Sequence, residues 1–265
     1  MNGSRWSRAA VVNALMIGLV VSTPPSIARP LEAIKSDGAL RVGLTGDYAP
    51  YSLRGADGQI SGADVTMARE LAQALGVTLV IVPTTWKTLQ ADLQDDRYDI
   101  AMGGVSVTPD RAAVGDFSIP VLRDGKRPIV RCTDRDRYTS IASIDRPDVR
   151  VVVNPGGTNE RFAKANLPHA TLAVHPDNRT IFGEIAAGQA DVMVTDGAEA
   201  DYQARLHPGV LCPAAVPDSF DHFDKAYWMT RDPALKAAVD AWLRQSLQSG
   251  QYENALAAAA AHNPQ

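Results

Sequence analysis

Tyr98-Asp-Ile-Ala-Met-Gly-Gly-Val-Ser-Val-Thr-Pro-Asp-Arg111 packs a strand, a turn and a helix start into one short stretch. Tyr98 to Met102 reads as a strand, and Gly103 and Gly104 turn the chain. Thr108 fits an N-cap, Pro109 the first helical position, and Asp110 favours the helix start. Upstream, Val65, Ala68, Leu71, Ala72 and Leu75 recur at helical spacing over Ala63 to Ala74, and Gly76 ends that helix. Thr78 to Val82 is a β-branched strand. Strands alternating with helices at this spacing predict an α/β fold, a parallel sheet covered by helices. Arg111 is then held near a helix N-terminus at a strand's carboxyl end. Its guanidinium and the turn's amides can clamp a carboxylate there. A solvated surface Arg is the alternative.

Working outward, Leu31, Ile34 and Leu40 frame a short helix and a strand, Leu40 to Leu44. Thr45 to Ser52 is a loop rich in turn residues and aromatics, including Tyr48. Trp86 sits in a loop before a short helix, Leu89 to Leu93. Past the polar turn Arg123 to Pro128 a second series begins at Ile129 to Cys132. Strands at Val149 to Val153 and Thr171 to Val174 alternate with helices from a Thr158 N-cap to Leu167 and from Asn178 to Ala187. Val210 to Cys212 and Asp224 to Met229 are extended, and two helices, Pro233 to Leu247 and Tyr252 to Ala261, close the chain. The two halves share an architecture. Two lobes facing each other across a hinge form a cleft where a ligand fits. The expected first lobe is residues 29–124 with 222–265, and the second is 125–221.

Composition narrows the function. Residues 1–28 read as a signal peptide: Arg5 and Arg8, an apolar Ala9 to Val21 too short to span a bilayer, then Ser26-Ile-Ala28. The whole chain has 26 basic and 30 acidic residues. Without the two arginines of that segment the net charge is 24 − 30 = −6. An acidic surface without basic runs argues against nucleic acid and anionic membranes. Cys132 and Cys212 are the two cysteines, and in an exported chain such a pair becomes a disulfide. Both are expected beside the lobe crossovers. The five histidines lack metal-ligand spacing, so no metal is expected, and there is no phosphate-cradling Gly-rich loop.

Asp191-Val-Met-Val-Thr-Asp-Gly-Ala-Glu199 reads as strand, turn and helix start. Ligands in open α/β sheets sit beyond strand carboxyl ends, and Asp196 falls there. Glu199, three residues on, shares a helix face with it. Two close carboxylates push one pKa up, which suits a general acid. A capping surface Asp with a solvated Glu behind it is the plain alternative.

Gly104-Val-Ser-Val-Thr-Pro-Asp-Arg111 with Asp116-Phe-Ser-Ile-Pro120, Leu40-Arg-Val-Gly-Leu44 and Gly62-Ala-Asp-Val-Thr-Met-Ala68 resembles the periplasmic amino-acid-binding proteins. The resemblance covers essentially all of the mature chain. It implies two lobes closing on an amino-acid-like ligand. Arg111 would hold the ligand carboxylate, Trp86 would pack on it and Asp196 would hold its ammonium. A narrower resemblance is to the cyclohexadienyl dehydratases. It rests on Pro83-Thr-Thr-Trp86, Leu122-Arg-Asp-Gly-Lys126, Val153-Asn-Pro-Gly-Gly-Thr-Asn-Glu160, Val174-His-Pro-Asp-Asn178 and Thr195-Asp-Gly-Ala-Glu199. Arg179 departs from that pattern.

The narrower resemblance implies conversion of prephenate to phenylpyruvate and of arogenate to phenylalanine, with loss of water and carbon dioxide. Aromatisation drives that reaction, so no cofactor is expected. Glu160, in a first helical turn, should be a poor acid, because the helix N-terminus favours its anion. Glu199 is the expected proton donor. Asn154, Thr158 and Asn159 are expected at the substrate, with turn-forming and helix-starting roles as the alternative for both Asn. Tyr48 and Trp86 would wall the ring or serve as core aromatics. Lys126 would steer a dianion or lie on the hinge surface, and His175 is expected in a structural turn. The expected partner is a small dicarboxylate in the periplasm, with no nucleic acid and no membrane once the signal is cleaved. Self-association stays open. The rival reading is a non-catalytic receptor serving a membrane transporter.

Overall fold

The computed structural model describes residues 29–261. The expected signal peptide, 1–28, lies outside them. Two five-stranded sheets form the frame. The first runs Thr78–Pro83, Ala39–Leu44, Ile100–Ala101, Trp228–Met229, Asp116–Phe117. The second runs Thr171–Val174, Arg150–Val153, Val192–Asp196, Lys126–Arg131, Leu211–Pro213. Both differ from the all-parallel expectation in the same way. Three strands are parallel, and the remaining two pair antiparallel. The antiparallel strands Lys126–Arg131 and Trp228–Met229 follow directly on the two segments that pass between the sheets. Those segments, Leu122–Asp124 and Phe223–Lys225, pair antiparallel as a two-stranded hinge.

The central strands of each sheet are buried on both faces, which is why they read as apolar runs, while the edge strands Thr78–Pro83 and Thr171–Val174 are partly exposed. Leu40, Val42 and Leu44 pack with Val65, Ala68 and Leu71 of the Ala63–Leu75 helix. Leu235, Val239 and Leu243 of the Pro233–Gln248 helix complete that core, so the chain's end returns to the first lobe. In the second lobe Val151 and Val153 face one cluster with Val130, Val192 and Val194, and Val152 faces another with Ile129, Phe182 and Met193.

Local signals decide the ends of elements. Gly76 adopts φ 72° and stops the first long helix. The Thr108 hydroxyl accepts from the Arg111 N–H, with Pro109 at the helix start. Two expectations are corrected. Gly157, not Thr158, caps the Thr158–Asn166 helix, because the Thr158 hydroxyl is engaged by Lys126 at 2.9 Å. The next helix is Ile181–Ala186 and leaves Asn178 in the preceding turn. The Thr45 to Ser52 stretch is not wholly irregular: Asp47–Tyr48, Ser52–Arg54 and Ile60–Ser61 form a small antiparallel sheet.

Cys132 and Cys212 form a disulfide with Cα atoms 4.8 Å apart. Its place differs from the expectation. It ties the end of the Lys126–Arg131 strand to its sheet neighbour Leu211–Pro213, at the edge of the second sheet and away from the hinge. Among the described residues no helix is long and apolar enough to cross a membrane.

Candidate active site

The carboxyl ends of the central strands of both sheets face one narrow cleft of about 20 Å³. Tyr48, Trp86 and Arg111 line it from the first lobe, and Asn154, Thr158, Asn159 and Asp196 from the second. Glu199 is the one expected site residue that does not line it. It lies one side chain behind, accepting from the amide of Asn178, which does. A wider groove near Ala49, Tyr202 and Ala255 has no charged residue in its lining. It therefore offers nothing for acid–base or anion chemistry.

Arg111 is buried, and its Nη1 donates to the Ser106 carbonyl at 2.8 Å. Burial, with the like charge of Arg161, pushes it down to about 10, so it stays a cation at neutral pH. No carboxylate pairs with it among the described residues. Its guanidinium lies 6.0 Å from the centre of the Trp86 ring. Trp86 is oriented by an indole N–H donated to Asp47 at 3.0 Å and meets Tyr48 edge-on, centroids 5.5 Å apart.

Asp196 ends the Val192–Asp196 strand and is buried. Burial alone would raise its pKa. The ammonium groups of Lys126 and Lys225 outweigh burial and hold it well below the usual carboxylate range. Its Oδ1 accepts from Lys126, and its Oδ2 from Lys225 at 2.7 Å and from the Tyr48 hydroxyl. The alternative of Lys126 as a hinge-surface residue is overturned, since only 1% of it is exposed. It also donates to Thr158 and Asn159. Asn159 in turn donates to Asn154 at 3.1 Å and to the Thr195 hydroxyl at 3.0 Å.

Glu199 has the opposite environment. It is buried in the Gly197–Leu206 helix, between Thr195 and Asn178. Burial raises it to about 8, the charge of Asp196 adds to the rise, and the Thr195 and Asn178 hydrogen bonds oppose it. Two carboxylates three residues apart thus differ sharply in proton affinity. Lysines neutralise one, and the other has only neutral donors. Glu160 follows the helix-start argument. It accepts from Gly156 N–H at 2.6 Å and pairs with Lys164, and these hold it below its ordinary value. His175 hydrogen-bonds Thr180 in a turn, and Arg179 pairs with Asp177.

Several site residues escaped the sequence reading. Lys225 lies on a hinge strand that reads only as extended. Asn178 reads as a helix start within Val174-His-Pro-Asp-Asn178, whereas the helix begins at Ile181. Its amide also donates to the Asp47 carbonyl at 3.0 Å, across the lobes, while its Oδ1 is buried without a partner among the described residues. Two glycines set close approach. Gly104, at φ 73°, would put a Cβ 2.7 Å from the rings of Tyr48 and Tyr51. Gly156, at φ 81°, would put one 2.6 Å from the Lys87 backbone of the facing lobe. Asp64 accepts from both Gly103 and Gly104 N–H at 2.8 Å, which fixes that turn. Among the described residues no three His, Cys, Asp or Glu side chains are placed to hold a metal ion.

Known proteins resemble this chain over most of its length. The cyclohexadienyl dehydratase of Pseudomonas aeruginosa is 51% identical over 220 residues, 83% of this chain and 82% of that protein. The crystal structure of an ancestral amino-acid-binding protein, a precursor of cyclohexadienyl dehydratase, matches at 36% identity and TM-score 0.77, over 84% of this chain and 96% of that one. A transporter substrate-binding protein of Streptococcus pneumoniae, bound to L-arginine, matches at 30% identity and TM-score 0.80, over 86% and 97%. The family model for bacterial extracellular solute-binding proteins, family 3, matches residues 40–258. The chain belongs to that family.

Proposed function

We propose that this chain is a periplasmic cyclohexadienyl dehydratase, a carbon–oxygen lyase acting on prephenate and arogenate. Its lobes are residues 29–124 with 222–261, and 125–221. The observation that carries the reading is Glu199: a buried acid, protonated up to about pH 8, one amide behind a cleft with an unpaired Arg111. A receptor that only holds an amino acid has no use for a buried proton donor. The 51% identity to a named dehydratase supports the same reading.

The reaction follows from the placements. Arg111 anchors the side-chain carboxylate of the substrate. Pairing it with the departing carboxylate would stabilise the ground state and slow its loss. Trp86 and Tyr48 wall the ring. The free Oδ1 of Asn178 accepts the O–H of the ring hydroxyl and so holds that oxygen beside Glu199. Glu199 gives its proton to the hydroxyl, and water leaves with the C–O electrons. The bond to the ring carboxylate breaks, its electron pair completes the aromatic ring, and carbon dioxide departs. Lobe closure strips water from the departing carboxylate, whose charge is costly out of water. Glu199 is left as a carboxylate and takes a proton from solvent when the lobes open.

The test is turnover. Purified protein with prephenate should yield phenylpyruvate, read as its enol absorbance in alkali. Binding without product would leave the chain a receptor.

A further inference from the structure

Asp196 is the one acidic side chain in the cleft lining, and neither of its oxygens is open. Lys126 takes Oδ1, and Lys225 with the Tyr48 hydroxyl takes Oδ2. The lysines cannot swing away, because 1% and 0% of them are exposed. Lys225 also donates to the Gly104 carbonyl at 2.8 Å and lies 5.0 Å from the centre of the Tyr48 ring. Lys126 is held by Thr158 and Asn159. An arriving ammonium would find both oxygens of Asp196 already taken, with the two ammonium groups that hold them lying outside the cleft lining. An arriving carboxylate would meet Arg111, which lacks an acidic partner among the described residues. Arg111, Lys126 and Lys225 meet a single carboxylate of the cleft lining, Asp196, while Asp64 and Asp124 act on Lys225 and Asp221 on Lys126 from outside that lining. A dicarboxylate with a 2-keto group carries two negative charges, whereas its 2-amino counterpart carries one net negative charge and an ammonium.

We infer that Lys126 and Lys225 make this cleft select the 2-keto dicarboxylate over the 2-amino one, by occupying the carboxylate that an α-ammonium would need. The inference rests on the dehydratase reading above. The element of selection is repulsive: a like charge placed against the unwanted ligand.

The experiment measures kcat/KM for prephenate and for arogenate near neutral pH. In parallel, calorimetry gives the affinities of phenylpyruvate and phenylalanine, the keto and amino products. Prephenate should be favoured about tenfold or more, within the range that one mismatched group in a pocket produces. Lys126→Met frees Oδ1 of Asp196, and Lys225→Met leaves Oδ2 with the Tyr48 hydroxyl alone; both should bring the ratio towards one, while Lys225→Arg should keep it. A wild-type ratio near one, or in favour of arogenate, overturns the inference. So does an equal loss of both substrates in Met variants that keep the wild-type circular dichroism. If the Met variants do not fold, the wild-type ratio alone decides. If wild type turns over neither substrate, the dehydratase reading falls, and the product affinities still decide. Tighter phenylpyruvate supports the selection, and equal or reversed affinities sink it.

Discussion

Glu199 concentrates the testable chemistry at the scale of single residues. Glu199→Gln keeps the shape but has no proton to give, so kcat should fall about 10²–10⁴-fold with little change in binding. Glu160→Gln should cost only a few tenths to about 1 kcal/mol of stability, its role being at a helix start. If Glu160→Gln is the dead enzyme at saturating substrate, the proton has been put on the wrong side chain. The pH dependence has a definite sign. A general acid works while protonated, so kcat/KM should decline as pH rises through about 8. In stability terms the folded chain keeps a proton that the unfolded chain releases above about 4.5. The Glu199 contribution is therefore fully present below about 4.5 and lost as pH climbs to about 8. Glu199→Gln should flatten that part of a urea-denaturation series, and an unchanged slope would refute the assignment. Arg111→Ala should weaken substrate and product alike, by about 1.5–3 kcal/mol for a lost charge-assisted hydrogen bond. Unaltered phenylpyruvate affinity would show that Arg111 holds something else.

At the scale of elements, the tight turns carry the mechanism's geometry. Gly156→Ala would need a side chain at positive φ and 2.6 Å from the Lys87 backbone. The closed state should suffer more than the fold. Apparent affinity should drop about tenfold or more while the thermal midpoint moves by only a few degrees, since strain of this kind costs about 1–3 kcal/mol. A midpoint that collapses instead would mean that the glycine serves the folding of the second lobe. The disulfide belongs to this scale too. It closes a loop with a sequence separation of 80. Replacing both cysteines by Ser should lower stability by about 4–5 kcal/mol in the chain-entropy limit, and commonly less. Differential scanning calorimetry with and without the bridge checks it, and equal midpoints would contradict it.

Over the whole molecule, what was legible followed one rule. Features written in local periodicity or turn chemistry could be read: the Ala63–Leu75 helix, the Thr78–Pro83 strand, and the Arg111 and Asp196 positions at strand ends. What escaped depends on distant pieces of chain meeting. Lys225 has no local mark that separates it from a surface lysine, yet it reaches Asp196 from 29 residues away. Lys126 looked like a surface residue because its burial comes from Asp196, Thr158 and Asn159. The antiparallel strands escaped because pairing direction is decided by the chain's path through the hinge, and residue type carries little of it. That path has a further consequence, for the order of assembly. The five strands of the second sheet and its disulfide all lie at or before residue 213, and the hydrogen bonds that Ala214, Phe220 and Asp221 add to its Lys126–Arg131 strand follow within eight residues. The first sheet lacks an internal strand until Trp228–Met229 arrives, and its core lacks a helix until Pro233–Gln248 does. During vectorial export, N-terminus first, the middle of the chain can therefore mature before its beginning. Pulse-labelled chains trapped with a thiol-alkylating reagent should show the bridge formed while the first lobe is still cut by protease. Protease resistance of the first lobe ahead of bridge formation would reverse that order.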